Sequence, residues 1–386
     1  MPYLDHAATT PLREEALEAM LGWLRGGPSN ASSPHGFGRR ARVAVERARR
    51  QIADVLGCEP GEIVFTSGGT EADNAALRGA LAASARAGRP GLVTSATEHH
   101  AVLQTAHALR DAGHPVTVLP PDADGRLDPA ALAGALTPET GLVSAMLVNN
   151  ETGAIHDVAA LADVAHAAGA VVHTDAVQAP GLLALDVETL GADLLSLSAH
   201  KVGGPQGVGA LFVRAGVPFD GPQTGGAQER GRRGGTENVA GVVGFATALA
   251  LADAERVETA VRLGALRDDL HARLRDAFGD RLVTNTPAER AAPHILNVSF
   301  RPTPAALDGE MLLAALDLEG VAVSAGSACT SGALEPSHVI LALGRDRETA
   351  SATVRFSLGR TTTADDVETA AAAVDRVVER MAAVAA

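Results

Sequence analysis

Short runs of β-branched and apolar residues alternate with alanine-rich stretches of helical length between residues 62 and 213. Strands that alternate with helices in this way are typical of a mostly parallel sheet that helices cover on both faces. The pattern therefore predicts an α/β fold built on a seven-stranded sheet. The predicted strands are Ile63–Thr66, Leu92–Ser95, Val116–Leu119, Leu142–Val148, Val171–Asp175, Leu194–Ser198 and Ala210–Val213.

A second, smaller unit is predicted at the end of the chain. A long helix is predicted from about Thr259 to Phe278, leading away from the large sheet, and the domain boundary is placed near it. The stretch that follows it predicts a small α/β domain with three strands, and 386 residues are enough for two domains. We expect a large domain over residues 12–258 and a small one over residues 1–11 and 259–386. The three strands are Ile295–Phe300, Val321–Val323 and Thr353–Leu358.

The net charge of the chain argues against two classes of binding partner. With 46 acidic against 32 basic residues the chain carries a net charge of -14, which argues against direct binding to nucleic acid or to an anionic membrane. The histidines are scattered without the spacing of metal ligands, so no metal site is predicted. The N-terminus lacks the features of a signal peptide, and no apolar run is long enough to span a membrane. We expect a cytoplasmic protein.

Polar residues follow the predicted strands at the points where the strands end. In sheets of this type the ligand lies beyond the carboxyl ends of the strands. Ser67-Gly68-Gly69-Thr70 follows the first strand and opens a helix, and free N–H groups at a helix N-terminus bind anions. The stretch lacks the Lys-Ser/Thr ending of a P-loop. A phosphate site and a simple helix cap remain alternatives.

A carboxylate and an amine end two other predicted strands. Asp175 ends the fifth strand, and Lys201 comes just after the sixth, in Ser198-Ala199-His200-Lys201. Together with an anion site they indicate pyridoxal phosphate, since lysine reacts with the aldehyde and a carboxylate keeps the ring nitrogen protonated. His99 could then lie on the ring and Gln178 could bond its hydroxyl. The alternative is a structural ion pair.

One of the two cysteines lies in a run of small, uncharged residues. Cys329 stands between Val323 and Gly332, a composition that packs poorly in a core and predicts a mobile loop over about residues 324–335. A thiol acts as a nucleophile in its thiolate form, which burial disfavours, so a loop of this kind suits a reactive cysteine. The alternative is an incidental small residue. Cys58, in a turn that ends a helix, is predicted to be structural.

These motifs in combination resemble the cysteine desulfurases, which form part of the class V branch of the fold-type I pyridoxal phosphate enzymes. The resemblance spans nearly the whole chain, and the loop around Cys329 resembles that of the first group of the family, which has the longer loop. The matching stretches are Tyr3-Leu4-Asp5 with Ala8 to Pro11, Ile63 to Gly68, Thr97-Glu98-His99, Val148 to Glu151, His173 to Gln178, Ser198 to Lys201, Gln228 to Gly231 with Gly235-Thr236, Gly326 to Ser331, and Val354 to Ser357.

The resemblance implies the fold and the role of each site residue. The implied fold is that of the aspartate aminotransferase-like pyridoxal phosphate transferases. Lys201 would bind the cofactor aldehyde and Cys329 would accept the sulfur, with His99 on the ring and near the reacting atoms. The other cofactor-binding residues implied are Gly69, Thr70, Asn150, Asp175, Gln178, Ser198, His200 and, toward the cofactor of a second subunit, Thr236. Asn30 and Arg355 would bind the substrate carboxylate.

The resemblance also implies the reaction and its partners. L-Cysteine would give L-alanine and a persulfide on Cys329, in a homodimer that passes sulfur to an acceptor such as an iron–sulfur scaffold protein or a thiolation pathway. Three alternatives remain: an aminotransferase or other lyase on the same scaffold, a selenocysteine lyase, and a pyridoxal phosphate-binding sulfur carrier without turnover. The first of these would not need Cys329.

Overall fold

The computed structural model describes residues 1–302, 306–325 and 336–385, and two sheets organise this part of the chain. The larger sheet has seven strands in the order β1-β7-β6-β5-β4-β2-β3, and only β7 runs antiparallel to its neighbours. The predicted α/β fold with a mostly parallel seven-stranded sheet is confirmed. Its strands are β1 (Ile63–Thr66), β2 (Gly91–Ser95), β3 (Val116–Leu119), β4 (Thr140–Ser144), β5 (Val171–Asp175), β6 (Leu194–Ser198) and β7 (Gly209–Val213).

The smaller sheet is antiparallel, in the order β10-β9-β8. Leu4 packs in the same apolar core as this sheet, and its backbone bonds to Ala322 and Ser357. These contacts tie the start of the chain to its end. The division into residues 12–258 and the remainder stays a prediction. The strands are β8 (Leu282–Thr284), β9 (Ile295–Phe300) and β10 (Thr353–Ser357).

Helices pack against both sheets. The second helix is amphipathic and buries Val45, Ile52 and Leu56 beneath the large sheet, whereas the eighth is almost wholly apolar and is buried along most of its length. The helices are α1 (Glu14–Leu24), α2 (Gly36–Leu56), α3 (Gly69–Arg86), α4 (His100–Asp111), α5 (Pro129–Ala135), α6 (Val158–Ala167), α7 (Val187–Leu190), α8 (Val239–Ala254), α9 (Arg256–Phe278), α10 (Gly309–Leu318), α11 (His338–Ala342), α12 (Arg347–Ser351) and α13 (Ala364–Ala385).

Three predictions about strands were wrong in detail. The predicted strand Leu142–Val148 ends at Ser144, although the N–H groups of Ala145 and Leu147 still bond to carbonyls of β5. Residues 321–323 form no strand, because this stretch makes only single bridges, one to Tyr3 and one, from Ser324, to β10. The three-residue β8 was not predicted, and a run so short leaves little periodicity to detect.

The register of three neighbouring strands brings polar residues to one edge of the large sheet. Gly209 lies opposite Ser198 of β6 on one side and opposite Thr66 of β1 on the other. A Cβ on Gly209 would lie 2.7 Å from the backbone of Gly68, so this close approach requires glycine. The start of α3 is thereby held beside the end of β6.

A buried ion pair fixes a strained loop beside β1. Arg49 of α2 bonds to both carboxylate oxygens of Glu229 at 2.7 and 2.8 Å, and each side chain is 3% exposed. Glu229 also accepts the N–H of Phe65 at 3.0 Å. Glu229 and Arg230 both have positive φ, at 46° and 57°, a region that residues other than glycine rarely adopt. The ion pair therefore stabilises the strained backbone conformation at Glu229 and Arg230.

We expect Arg49→Ala to lower the free energy of unfolding by about 3 to 5 kcal/mol, because it leaves the Glu229 carboxylate buried without its partner. Chemical denaturation followed by circular dichroism measures the change. Arg50→Ala is the matched control, since Arg50 is the next residue of the same helix and is exposed. An equal, small effect of the two substitutions would contradict the prediction.

Candidate active site

A cavity of about 310 Å³ lies at the carboxyl ends of the central strands, where the sequence predicts the ligand. Asn30 and Thr236 lie outside its lining and are exposed in the single chain, so their roles stay predictions. Cys329 lies outside the described residues. Ten of the predicted site residues line the cavity: Gly69, Thr70, His99, Asn150, Asp175, Gln178, Ser198, His200, Lys201 and Arg355.

Lys201 lies in a 3-10 turn, Ala199–Lys201, that directly follows β6. Its Nζ donates to the carbonyl oxygens of Ala7 and Ala8, the latter at 2.9 Å. Gln178 Nε2 donates to the Ala7 carbonyl as well, at 2.9 Å. The N-terminal segment thus forms one wall of the cavity and orients the amine. These carbonyl partners were not predicted, because backbone acceptors leave no mark in a sequence.

Asp175 ends β5 and is 6% exposed. Its Oδ1 accepts the N–H of Val177 at 2.9 Å. Burial raises the pKa of this carboxyl to about 6, against the opposing effects of the Val177 N–H and the Lys201 ammonium. Asp175 is therefore ionised at neutral pH but poorly solvated, and a cationic group placed beside it in the cavity would be strongly stabilised.

Two more carboxyl groups are buried near Asp175. Asp73 and Glu98 are 1% and 0% exposed, and Asp73 Oδ1 and Glu98 Oε2 have no hydrogen-bond partner within the described part of the chain. Burial raises the pKa of both groups well above the usual values, and the charge of Asp175 adds to the effect. Asp73 lines the cavity and was missed; its only signal was its position one turn after Thr70.

A neutral histidine lies behind these carboxyl groups. His173 Nδ1 lies 2.8 Å from the hydroxyl of Ser144, its Nε2 lies 3.0 Å from that of Ser196, and Nε2 is 3.6 Å from Asp73 Oδ1. Burial lowers the pKa of His173 to about 3. The His173 imidazole is therefore neutral at pH 7.

His99 caps the N-terminus of α4. Its Nδ1 accepts the N–H of Ala101 at 3.1 Å. Burial, followed by the charge of Lys201, lowers the pKa of His99 to about 4. The ring is neutral at pH 7, and since Nδ1 is the acceptor of the cap bond we assign its proton to Nε2.

The start of α3 forms an anion cradle. Gly68 has φ of 155°, and a Cβ on Gly69 would lie 2.8 Å from a methyl group of Val177 and 3.5 Å from Cβ of Ser198. The first N–H groups of a helix have no acceptor within it. With the hydroxyls of Thr70 and Ser198 beside them, these donors match a phosphate group, and a side chain at Gly69 would fill the space.

Arg355 of β10 reaches the cavity from the smaller sheet and is 2% exposed. Its Nη1 donates to the carbonyl of Asn150 and its Nη2 to Asp5 Oδ1, both at 2.7 Å. A guanidinium held in this way presents a planar set of donors that suits a carboxylate. The Asp5 contact, 350 residues away in the chain, was not predicted.

The two ends of the segment that carries Cys329 lie beside the cavity. On one side the N–H of Arg355 donates to the carbonyl of Ser324 at 2.6 Å. On the other side the hydroxyl of Ser337 donates to the buried carboxylate of Glu151. Cys58, in contrast, is half-buried, and burial raises the pKa of its thiol to about 12, which disfavours the thiolate.

Among the described residues, no three or more His, Cys, Asp or Glu side chains are grouped so that they could hold a metal ion. None of the helices within the described ranges has the length and apolarity to cross a membrane.

Comparison with known proteins gives a uniform result. Residues 2–369 match the family "Aminotransferase class-V". The chain is 44% identical over 383 residues to the "Cysteine desulfurase IscS" of Dictyoglomus turgidum, covering 98% of this chain and 95% of that protein. It is 47% identical over 369 residues to the protein of the same name from Anaeromyxobacter dehalogenans, covering 95% and 89%. A solved structure described as a "NifS-like protein" superposes with a TM-score of 0.90 at 35% identity, covering 98% of this chain and 99% of that one.

We expect Asp175→Asn to stabilise the protein without cofactor at neutral pH. Because the folded pKa of Asp175 is raised from 3.8 to about 6, its ionisation opposes folding progressively between these values, by up to about 3 kcal/mol above pH 6. Unfolding by denaturant at pH 7.5 and pH 4 should give a gap between variant and wild type that nearly closes at pH 4. Asp54→Asn, at an exposed position of α2, is the control. A gap of equal size at both pH values would contradict the prediction.

Proposed function

Because the chain belongs to the aminotransferase class-V family, and within it to the cysteine desulfurases, we propose that it removes sulfur from L-cysteine, with pyridoxal phosphate as cofactor. The products are L-alanine and a persulfide on Cys329. One observation carries the proposal: Lys201, Asp175 and an anion cradle line a single cavity, and both ends of the segment that carries Cys329 lie beside it.

The lining of the cavity fits the proposed cofactor. The cradle of Gly69 and Thr70, with Ser198 and His200, would hold the phosphate. Asp175 would pair with the ring nitrogen, and Gln178 would bond the ring oxygen. When bound, pyridoxal phosphate supplies an electron sink for the charge left at the α-carbon. The raised pKa of Asp175 supports its part, since a poorly solvated carboxylate favours a protonated ring nitrogen.

Lys201 would hold the cofactor through its aldehyde, and its Nζ would take the α-proton of the substrate. The carbonyls of Ala7 and Ala8 accept hydrogen bonds from Nζ and keep it directed into the cavity. His99 would lie against the ring of the cofactor, and it carries its own proton at Nε2. The lowered pKa of His99 keeps its imidazole neutral, so His99 adds no second cation beside Lys201.

Arg355 binds the substrate carboxylate, with Asn30 as a second contact and Asn150 near the cofactor. The Cys329 thiolate then attacks the substrate sulfur, a sulfur–sulfur bond forms and the carbon–sulfur bond breaks. The electron pair of the broken bond remains with the carbon fragment, which takes up protons and leaves as alanine.

The assembly and the destination of the sulfur are parts of the same proposal. The chain forms a homodimer in which the exposed Thr236 reaches the phosphate of the other subunit's cofactor. The persulfide is passed to a sulfur acceptor, such as a scaffold protein of iron–sulfur cluster assembly or a thiolation pathway. The cytoplasm is the compartment we expect.

Alanine and sulfide released from L-cysteine in the presence of a reductant test the proposal directly. We expect Cys329→Ala to abolish both products, while L-cysteine still changes the absorbance of the bound cofactor. Cys58→Ala is the matched control and should keep wild-type activity, because its thiol lies in a half-buried turn. Alanine production by Cys329→Ala would favour an aminotransferase or another lyase. Faster turnover of selenocysteine would favour a selenocysteine lyase, and no product from any amino acid a carrier without turnover.

We expect His99→Asn to lower the rate of persulfide formation by about 10²-fold or more, the usual loss when a positioned proton donor or acceptor is removed. The asparagine oxygen can still accept the N–H of Ala101, so the cap of α4 and the melting temperature should be kept. Mass spectrometry of Cys329 after a single turnover measures the rate, and cofactor absorbance checks occupancy. A wild-type rate with cofactor bound would remove His99 from the reaction.

A further inference from the structure

Glu151 lies in a turn that follows the irregular end of β4 and is held rigidly. Its N–H donates to Asn149 Oδ1 at 2.9 Å, and Thr152 donates to the same oxygen through its N–H at 2.8 Å. The Glu151 carbonyl accepts from Asn297 Nδ2 of β9 at 3.0 Å. The side chain is 2% exposed. A carboxylate so buried is costly unless it bonds to something specific.

Ser337 is that specific partner. Its hydroxyl donates to Glu151 and accepts the N–H groups of Val339 and Ile340 at 3.1 and 3.3 Å, so a single side chain caps α11 and ties it to the turn. His338 adds a second contact, because its Nε2 donates to the carbonyl of Glu98 at 3.0 Å. Ser337, near the start of the described chain after Cys329, is therefore bonded to Glu151.

The same turn is joined to Arg355. The carbonyl of Asn150 accepts from Arg355 Nη1 at 2.7 Å, and the N–H of Arg355 bonds to Ser324, on the other side of the Cys329 segment. The turn at 149–152 thus contacts both Arg355, which is proposed to bind the substrate carboxylate, and Ser337, which follows Cys329 in the chain. The proposed reaction assigns no role to Glu151.

We propose that Glu151 is a positioning residue which, through Ser337, fixes the start of α11 beside the turn that also contacts Arg355. Sulfur transfer to Cys329 depends on this contact, whereas binding of L-cysteine does not. The proposal rests on the proposed desulfuration and adds a residue to it. It also predicts which step fails when the contact is broken.

Single-turnover kinetics of the holoenzyme separate the two steps. In Glu151→Ala and Ser337→Ala we expect the substrate-induced change in cofactor absorbance to keep its rate and its dependence on L-cysteine within about twofold. Persulfide formation on Cys329 should fall by about 10-fold to 100-fold, the loss expected when a buried polar group is left without its hydrogen-bond partner. The double variant should be no slower than Ser337→Ala, because that single variant already loses the contact to Glu151 together with the cap bonds to Val339 and Ile340. Ser337→Thr, which keeps the hydroxyl, should restore the rate.

A matched control and a second readout keep the test decisive. Asp346→Ala removes the cap of α12, a short helix in the same region, and touches neither Glu151 nor Ser337; both steps should stay at wild-type rates. Hydrogen exchange of the α11 amides needs neither cofactor nor turnover, and in Glu151→Ala it should rise about tenfold. Hydrogen exchange therefore tests the contact between Glu151 and Ser337 even if the proposed desulfuration is wrong. An unchanged persulfide rate, an equal loss in the absorbance step or additive effects in the double variant would each overturn the proposal.

Discussion

The register of the central strands is the constraint on which the rest of the site depends. Gly209 pairs with both Ser198 and Thr66, and Asp175 pairs with Ser196, so four chain segments end at one edge. Because side chains alternate across a strand, a shift of one residue in any of these pairs would turn Asp175 or Ser198 away from the cavity. The buried, apolar faces of the sheet make such a shift costly, and in this way the hydrophobic core fixes the position of the polar site.

The charge in the cavity is arranged at a cost to stability. Three carboxyl groups, Asp73, Glu98 and Asp175, are buried near one another, and a fold selected for stability alone would place apolar side chains there. Burial raises the pKa of Asp73 and of Glu98 well above the usual values, which favours the neutral form of both groups beside Asp175. Such conflicts between local environment and charge are characteristic of functional sites.

The parts of the structure that were predictable are those that local pattern determines. Strands such as Val171–Asp175 were recognised by their apolar composition, and the polar residues of the cavity by their place just after strands. Contacts between distant segments were not predictable. Arg49 with Glu229 and Asp5 with Arg355 join residues 180 and 350 positions apart, and Asp73 looks like any polar residue of a helix. The roles of all the predicted site residues remain predictions, and for Asn30 and Thr236 they rest on resemblance alone.

The proposed sulfur acceptor, Cys329, has two demands to satisfy. It must approach a substrate at the edge of a buried sheet, and it must then offer its sulfur to another protein. The described residues on either side of it are bonded to the wall of the cavity or next to it. Ser324 accepts from the backbone of Arg355, and Ser337 donates to Glu151, the neighbour of Asn150 in the cavity lining. The first of the two demands, the approach to the substrate, therefore depends on how firmly these two contacts hold.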